Sequence, residues 1–417
     1  MMKTSNKIIL GGLLGNLAES YDIALCYMLA NILTQDLLGG KPHSGTLLLG
    51  LLSLAYLAKP LGAMILGLMS DKLGRKQALV FSILMMGLST VLIAFIPNYY
   101  SIGFWAPVFL LSLRVMQSFA LGAEFLNSSC YLVESGDETS KGFRGCWTSA
   151  GVKAGTLLAA FIVMVLSDYH LSWRYAFIFA GLTTLIGVYI RMRLPESLAY
   201  VIYYAERKKP SLPSLIKQAV AYVKTDPSKT SYAFWSSFVA VASGAFYFLY
   251  LPFYIKQQAI FPNSFTHHFV TQTLLTVTIL IPIFGYLSDK FSRINFLRFG
   301  SLGMILLSYP LIHHINTANE LGFIICYLLI AVSTAMFYAC NTVFLTTLFP
   351  LSIRCSILSL IFSIAAGLGA GAVPFIANYI QEYTNYPSLA CLVMIAPNLV
   401  VFYALMNAQR KLVFCGA

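Results

Sequence analysis

Long apolar runs separated by short polar segments dominate this sequence, and they constrain its fold more than any other feature. About 20 apolar residues, each adding about 1.5 Å of helical rise, cross the roughly 30 Å hydrocarbon layer of a bilayer. The backbone must satisfy its own hydrogen bonds in that layer, which favours helices. A transmembrane β-barrel would show short alternating segments instead. The runs therefore predict an all-α membrane protein.

The spacing of the runs predicts twelve transmembrane helices in two six-helix bundles. Residues 1–193 are predicted to form the N-terminal bundle, residues 194–230 a cytoplasmic linker, and residues 231–417 the C-terminal bundle. The linker is the only long polar segment, and its apolar patches predict a helix on the membrane surface, formed around Leu212, Leu215, Ile216 and Val220. The predicted spans are 8–34, 46–68, 78–96, 104–133, 146–167, 175–193, 231–255, 266–287, 295–314, 320–349, 355–380 and 388–408.

The charge balance predicts how the chain lies in the membrane. Hydrophobic residues make up 58% of the chain and charged residues 10%, far below the roughly 25% charged residues of soluble domains. The net charge of +12 could indicate nucleic-acid binding, but cytoplasmic loops of membrane proteins are also rich in bases. With both termini in the cytoplasm, only Lys41, Arg174 and Lys256 fall in outer loops. We therefore expect a monomeric multi-pass protein of a bacterial inner membrane, surrounded by lipid, with cytoplasmic termini and no nucleic-acid partner.

A ten-residue segment between the second and third runs is repeated in the second half. Residues 67–76 read G-L-M-S-D-K-L-G-R-K, and residues 285–293 read G-Y-L-S-D-K-F-S-R. Glycines permit a tight turn and close helix approach, and the repeated acid is not explained by a surface turn that simply collects bases. The repeat points to a duplicated membrane protein, and the family resemblance that these segments carry implies a gate between the two halves that includes Gly67, Asp71, Gly74, Arg75, Arg144, Asp289 and Arg293.

The repeated segment resembles the signature loop of the major facilitator superfamily, G-x-x-x-D-[RK]-x-G-R-[RK], which joins helices 2 and 3 of that fold. The resemblance implies that Asp71 meets bases and the N-terminal end of helix 11 when the cytoplasmic side is closed, with Arg75 and Arg144 as local partners. Glu134, at the end of helix 4, is expected at the same interface. Arg354, near the start of helix 11, adds a fixed positive charge there.

Four further segments are similar to the metabolite–proton symporter branch of that superfamily, which takes up proline and betaine, citrate, 2-oxoglutarate or shikimate. They are G-N-L-A-E-S-Y-D (15–22), K-P-L-G (59–62), R-V-M-Q-S-F-A-L-G-A-E (114–124) and R-L-P-E-S (193–197). The sequence departs from the branch pattern at Ser20, where the branch has an aromatic residue, and at Lys59, where it has arginine. These departures leave the identity of the substrate open.

Charged residues in the middle of the first-half spans indicate where function resides, because each costs at least about 2.5–3.5 kcal/mol at the bilayer centre. Three are acids and three are bases, so full pairing is possible: Glu19, Asp22, Lys59, Arg114, Glu124 and Lys153. Helical spacing places Glu19 and Asp22 on one face, and Arg114, Gln117 and Glu124 along one stripe. We predict proton coupling by the three acids and substrate binding by Arg114, Gln117, Lys59 and Lys153. The alternative is a static salt bridge between helices 1 and 4.

Two further predictions are weaker. Lys153 can reach toward the cytoplasm, pair with Glu124 or bind a substrate carboxylate. An uncharged pocket wall in the second half is predicted from Phe246, Tyr247, Tyr250, Tyr338 and Asn341, although aromatic stripes more often pack a core.

These features favour a proton-coupled importer of a small, carboxylate-bearing organic solute that works by alternating access. An exporter of the same fold and a transport-dead membrane sensor are the alternatives. The sequence has no G-x-x-x-x-G-K-[ST] loop for ATP, no metal-ligand spacing and no nucleophilic constellation. We therefore expect no enzyme activity, no metal and no cofactor other than the proton as coupling ion.

Overall fold

The computed structural model of the chain describes residues 4–40, 44–122, 124–135, 138–193, 195–205, 212–257, 260–261, 263–383 and 387–411, nearly all of them helical. Within these ranges, eleven helices are long and apolar enough to cross a membrane, and the helix Thr4–Met28 precedes them. The predicted all-α class is confirmed. We number these helices α1 (Thr4–Met28), α2 (Gly50–Leu73), α3 (Arg75–Ile93), α4 (Trp105–Glu134), α5 (Lys141–Asp168), α6 (Arg174–Met192), α7 (Pro227–Ile255), α8 (Phe269–Lys290), α9 (Arg293–Asn316), α10 (Glu320–Thr347), α11 (Arg354–Gln381) and α12 (Ser388–Asn407).

Shorter helices extend or connect these elements. Ala30–Leu38 continues α1 after a break at Leu29, and Ser44–Ala55 overlaps the start of α2. The predicted linker helix is present as Leu212–Thr225, preceded by Leu198–Ala205. The side chains of Leu212, Leu215, Ile216 and Val220, on which the surface-helix prediction depends, lie outside the described residues.

The start of α7 differs slightly from the sequence prediction. The helix begins at Pro227 rather than 231, because Asp226 caps it: its Oδ1 accepts a hydrogen bond from the Lys229 backbone N–H at 3.3 Å. A proline at the first helical position suits this start. Hydrogen bonding by Lys229 also holds the pKa of the Asp226 carboxyl below its usual value.

Glycines let helices of the first half touch backbone to backbone. A Cβ on Gly62 of α2 would overlap the Phe119 carbonyl of α4, and a Cβ on Gly122 would overlap the α2 backbone at Lys59 and Ala63. This crossing gives a physical reason for the glycines in K-P-L-G and in the 114–124 segment. It also places Lys59 directly beside α4.

Two pairs of helices make the most extensive contacts between the halves. Helix α2 packs along α11, and α5 packs along α8. Within the first half, α1 packs on α5 and α3 on α6, while in the second half α9 packs on α10 and α12. The side chains that α1, α2, α4 and α5 carry at mid-depth therefore lie close to the second half.

Helices α7 and α11 each contain a π-helical segment at their middle. The segments are Phe246–Tyr250 and Gly367–Ala372, and each ends two residues before a proline, Pro252 or Pro374. A proline has no N–H for the carbonyl one turn earlier, so a wider turn accommodates the missing bond. The altered pitch in α7 orients the aromatic side chains at 246–250, which border the first half.

Candidate functional site

The mid-span charges predicted from the sequence are all buried in the first half, and a seventh joins them. Their residues are each less than a tenth exposed. The set comprises Glu19 and Asp22 on α1, Lys59 on α2, Arg114 and Glu124 on α4, Lys153 on α5 and, in addition, Arg191 on α6.

A chain of hydrogen bonds connects Asp22 to Arg114 through two neutral side chains. The Thr90 hydroxyl on α3 donates to Asp22 Oδ2 at 2.6 Å. Gln117 Nε2 donates to Thr90 Oγ1, and Arg114 Nη1 donates to Gln117 Oε1 at 2.6 Å. Among the described residues, neither Asp22 Oδ1 nor Arg114 Nε has a hydrogen-bond partner. The acids of α1 therefore do not form the direct salt bridge with α4 that was the static alternative.

Glu19 interacts with Lys59, which lies at the contact between the halves. The Lys59 charge acts on Glu19, yet Glu19 Oε2 has no hydrogen-bond partner in the described part of the chain. Lys59 Nζ lies 5.7 Å from the ring centroid of Phe362 on α11 and 5.8 Å from that of Tyr56. A buried carboxylate oxygen without a partner is costly, and it is available to a proton or a ligand.

Glu124 forms a buried ion pair with Arg191, a base that was not predicted among the mid-span charges. Arg191 lies in the last turn of α6, is 3% exposed and contacts Glu124 Oε1. Ser82 also donates to Glu124, and Arg191 Nη1 donates to the Leu79 carbonyl at 3.0 Å. A Cβ on Gly15 would overlap the Arg191 guanidinium, so this glycine of α1 makes room for the pair. Glu124 is held by a fixed cation, unlike Glu19.

Lys153 neither reaches the membrane surface nor pairs with Glu124, the first two of the three alternatives considered from the sequence. Its residue is 6% exposed, so it does not reach the cytoplasmic surface, and Glu124 pairs with Arg191 instead. Its Nζ lies 4.4 Å from the ring centroid of Tyr338 on α10 and 4.6 Å from that of Phe248 on α7. Lys153 therefore reaches from the first half into an aromatic site of the second half.

Tyr247 and Asn341 use their polar groups within the second half. The Tyr247 hydroxyl hydrogen-bonds Ser308 on α9 at 2.7 Å, and Asn341 Oδ1 accepts from Ser236 on α7. Both side chains pack helices of the same half together. The aromatic rings of the second half that lie over the Lys59 and Lys153 ammonium groups are those of Phe248, Tyr338 and Phe362.

The C-terminal end of α2 meets the start of α11 through Asp71. Asp71 Oδ2 accepts hydrogen bonds from the Ser356 backbone N–H at 2.8 Å and from its hydroxyl at 2.5 Å. Asp71 Oδ1 accepts from Arg75 Nη1 at 2.5 Å. A helix N-terminus attracts an anion, and the predicted contact of Asp71 with α11 and with Arg75 is confirmed.

The second copy of the loop makes the equivalent contact at the other interface. Asp289 accepts hydrogen bonds from the backbone N–H groups of Gly142 at 2.7 Å and Phe143 at 2.8 Å, at the start of α5. Arg293 pairs with Asp289 at 2.9 Å, as Arg75 pairs with Asp71. The two loops thus connect the halves in the same way, carboxylate against helix N-terminus.

Glycines allow these approaches. A Cβ on Gly67 would lie 3.1 Å from Ser356 Cα, so α2 and α11 touch along their backbones. Gly74 has a φ of 122°, a conformation that L side chains rarely adopt. Its turn leaves the first N–H groups of α3 free, and Glu196 accepts from the Arg75 backbone N–H at 3.0 Å.

Glu134 joins Arg354 and Arg75 across the same interface. It pairs with Arg354 at 2.9 Å and Arg75 at 3.4 Å, and it accepts from the Ser197 hydroxyl at 2.9 Å. The prediction that Arg144 is a partner of Asp71 is wrong, because Arg75 and Ser356 fill that position and Arg144 Nε donates to the Ser140 carbonyl at 3.4 Å. The two halves are therefore in contact at the end of the molecule where the two loops lie.

On the opposite side, the halves also touch, and Ser53 Oγ donates a hydrogen bond to the Gly371 carbonyl of α11 at 3.4 Å. A small cavity of about 20 Å³ lies nearby, between the extension of α1 and the adjoining parts of α7 and α11. It is lined by Tyr27, Ala30, Asn31, Thr34, Leu249, Tyr250, Phe253 and Pro374.

Comparison with known families decides what kind of protein has this arrangement. The family model "Major Facilitator Superfamily" matches residues 12–374. The chain belongs to that superfamily. It is a secondary transporter, not an enzyme, and its twelve helices are the spans of that fold.

The relatives of this transporter include proteins named as transporters of small solutes. The chain is 29% identical over 394 residues to the proline/betaine transporter of Escherichia coli (strain K12), covering 90% of this chain and 78% of the relative. It is likewise 29% identical to the glycine betaine/proline/ectoine/pipecolic acid transporter OusA of Dickeya dadantii (strain 3937), over 90% of this chain and 77% of the relative.

Solved structures share the fold of this transporter. The proton:xylose symporter XylE, bound to a bromodeoxyglucose, superposes with a TM-score of 0.77 at 16% identity, covering 98% of this chain and 95% of the other. The human organic anion transporter MFSD10 superposes with a TM-score of 0.68 at 14% identity, covering 97% and 100%.

Several contact residues of the transporter were not predicted from the sequence. Arg191 lies within the last turn of an apolar run, a signal that separates it from the linker bases that follow. Thr90 is one of three hydroxyl residues in α3, with Ser82 and Ser89, and gives no such signal. Phe248 is one of six consecutive aromatic or leucine residues, and only the fold distinguishes it from its neighbours.

Proposed function

We propose that this transporter couples the movement of protons to the uptake of a small, carboxylate-bearing organic solute. The single observation that carries the proposal is an imbalance among the buried charges of the central site, which excludes Asp71, Arg75, Glu134 and Arg144 at the end of the bundle where the loops lie. In the central site three acids, Glu19, Asp22 and Glu124, accompany four bases, because Arg191 joins the set predicted from the sequence. One cation is left without an acid.

The charges divide by their neighbours. Arg191 takes Glu124, the Lys59 charge acts on Glu19, and the Arg114 charge acts on Asp22. Lys153 has no charged side chain acting on it among the described residues. A buried cation without a counter-ion is costly, so a substrate carboxylate that reaches Lys153 would lower the energy of the occupied site.

Glu19 and Asp22 are the proposed proton carriers. Each keeps one oxygen without a hydrogen-bond partner in the described part of the chain, and neither is in direct contact with a fixed cation. Glu124 is different, because Arg191 is in direct contact with it. We therefore assign Glu124 a supporting role in the proposal and give proton binding to the α1 acids.

Alternating access is proposed to work through the two interfaces between residues 1–193 and residues 231–417. The Asp71 and Asp289 contacts would hold the halves together on the cytoplasmic side while a cleft between the halves opens on the outer side. Release of these contacts would let the cytoplasmic side open and the outer side close. The base distribution supports cytoplasmic termini in a bacterial inner membrane. We expect a monomer to be sufficient, because each proposed contact forms within one chain.

The test uses purified transporter in proteoliposomes. A thermal-shift screen of proline, betaine, ectoine and carboxylates first identifies a ligand, since binding to the folded state raises stability. Uptake of that ligand is then measured with and without an inward proton gradient. We expect accumulation only with the gradient.

Glu19→Gln and Asp22→Asn are expected to lose accumulation by about tenfold or more, equivalent to about 1.4 kcal/mol, while retaining solute counterflow, which needs no net proton movement. Asp168→Asn, at an exposed acid at the outer end of α5, is the control and should behave as the unmodified protein. Equal uptake without the gradient, or full accumulation by both α1 variants, would contradict proton coupling.

A further inference from the structure

The ammonium group of Lys153 occupies a site that resembles those in which proteins bind organic cations. Cations over aromatic faces within about 6 Å of the ring centroid are attracted by the ring quadrupole, and aromatic cages of this kind bind quaternary ammonium groups. Lys153 Nζ lies 4.4 Å from the Tyr338 centroid and 4.6 Å from the Phe248 centroid. Lys59 is more distant from its two rings, at 5.8 and 5.7 Å.

The two rings are fixed independently of Lys153. The Tyr338 hydroxyl hydrogen-bonds the Ser243 hydroxyl of α7 at 2.8 Å, and its carbonyl accepts from the Ser149 hydroxyl at 3.1 Å. Phe248 lies in the π-helical segment and makes an edge contact with Tyr327, with ring centroids 6.1 Å apart. The cage is therefore built by the fold of the second half, and Lys153 enters it from the first half.

A glycine borders a third side of the cage. A Cβ on Gly244 would lie 3.4 Å from Lys153 Nζ and 3.5 Å from Tyr338 Oη. The ammonium group thus packs against the α7 backbone as well as the two rings. No charged side chain of the described residues acts on it, so its attraction to the rings is not competing with a carboxylate.

We propose that Lys153 fills the cation site of this transporter with a tethered ammonium group, so that the central site takes small carboxylates that lack an ammonium group and rejects quaternary ammonium solutes such as betaine. This inference rests on the proposed function, because it specifies the solute that the site accepts. The rings hold one side of the lysine ammonium, and the substrate carboxylate approaches its free side.

Electrostatics gives the selectivity its direction. A trimethylammonium group placed in the same cage would have to displace Lys153 or lie beside it, and two like charges a few ångströms apart in a low-dielectric site repel strongly. Discrimination by a built-in repulsive group is a common route to specificity. A carboxylate with an uncharged body meets only the attractive charge.

A matched pair of ligands tests the inference. Betaine and tert-butylacetate have the same shape and the same carboxylate, and they differ in a quaternary nitrogen against a quaternary carbon. Binding of each to the purified full-length transporter is measured by thermal shift and calorimetry. We expect the unmodified protein to prefer tert-butylacetate by about tenfold or more, the size of a desolvated charge–ring effect.

Lys153→Met removes the tethered charge at nearly constant length, and the preference is expected to reverse in favour of betaine. Lys153→Arg keeps the charge and should keep the original preference. Lys59→Met removes a different buried cation of the same half, so it separates the cage from a general loss of positive charge and should not create betaine binding. Lys290→Met is the surface control, because Lys290 Nζ lies 4.5 Å from the Tyr286 ring centroid at the cytoplasmic end of α8.

Folding of Lys153→Met is monitored by its unfolding temperature and by gel filtration, and Tyr338→Ala provides a second variant that breaks the cage from the other half. Tyr338→Ala is expected to weaken the selectivity without reversing it. A preference for betaine in the unmodified protein, an unchanged preference in Lys153→Met, or binding of neither ligand to the unmodified protein would overturn the inference.

The readouts separate this inference from the proposed function. Ligand preference is measured without a membrane gradient, so it does not depend on proton coupling. Intact preference with gradient-independent uptake would remove only the coupling proposal. Gradient-driven uptake of betaine by the unmodified protein would remove only the inference.

Discussion

Replacing Arg191 by methionine is expected to destabilise the transporter by about 3–5 kcal/mol, the cost of leaving a buried carboxylate without its partner. Arg191 and Glu124 form a buried ion pair, and the guanidinium also donates to the Leu79 carbonyl at 3.0 Å. The variant leaves Glu124 at mid-depth with only the Ser82 hydroxyl. The measurement is unfolding of the purified protein by denaturant in detergent.

A double-variant cycle separates the charge from the packing. Glu124→Gln combined with Arg191→Met removes both charges, so its loss of stability should be clearly smaller than the sum of the two single losses. Arg193→Met is the matched control. Arg193 follows Arg191 by two residues, and its exposed guanidinium lies 4.3 Å from the Tyr189 ring centroid. This variant should change the free energy of unfolding by less than about 1 kcal/mol. Additive single losses would contradict a direct pair.

The outcome for Arg191 illustrates what the sequence can and cannot predict. Apolar run lengths predicted the helices, because the bilayer imposes a fixed length on each. Run lengths do not show where a base at the end of a run points, because a long side chain at a helix end can reach toward the lipid headgroups or back into the bundle. The Arg191 side chain points into the bundle, where Gly15 leaves room for its guanidinium.

The gate was predicted more fully than the central site. The loop and its copy fixed Asp71, Arg75, Asp289 and Arg293 in advance, because a repeated pattern implies a repeated contact. The partners of mid-span charges depend on helix rotation and on single hydroxyl or amide groups such as Thr90 and Gln117. Arg144 was misassigned for the same reason, since a base near the correct helix end can turn toward its own helix.

Asp71→Asn and Asp289→Asn are expected to shift the transporter away from its cytoplasm-closed state. Each aspartate accepts two hydrogen bonds at a helix N-terminus of the opposite half, and these contacts are lost when the halves separate. A hydrogen bond to a charged group contributes about 1.5–3 kcal/mol, so each variant should shift the closed-to-open ratio by roughly 10- to 150-fold.

Spin labels at Leu73→Cys and Phe291→Cys, exposed positions on the cytoplasmic ends of the two halves, report this shift as a change in the distance distribution between them. The two interfaces are related by the loop repeat, so Asp71→Asn and Asp289→Asn should populate the longer distance in the same direction, and the double variant should do so more than either alone. Asp168→Asn, at an exposed outer position, should leave the distribution unchanged. A gate held mainly by Glu134 and Arg354 would instead give a normal distribution in both aspartate variants and a long distance in Arg354→Met. That result would assign the closing contact to the ion pair rather than to the two helix N-termini.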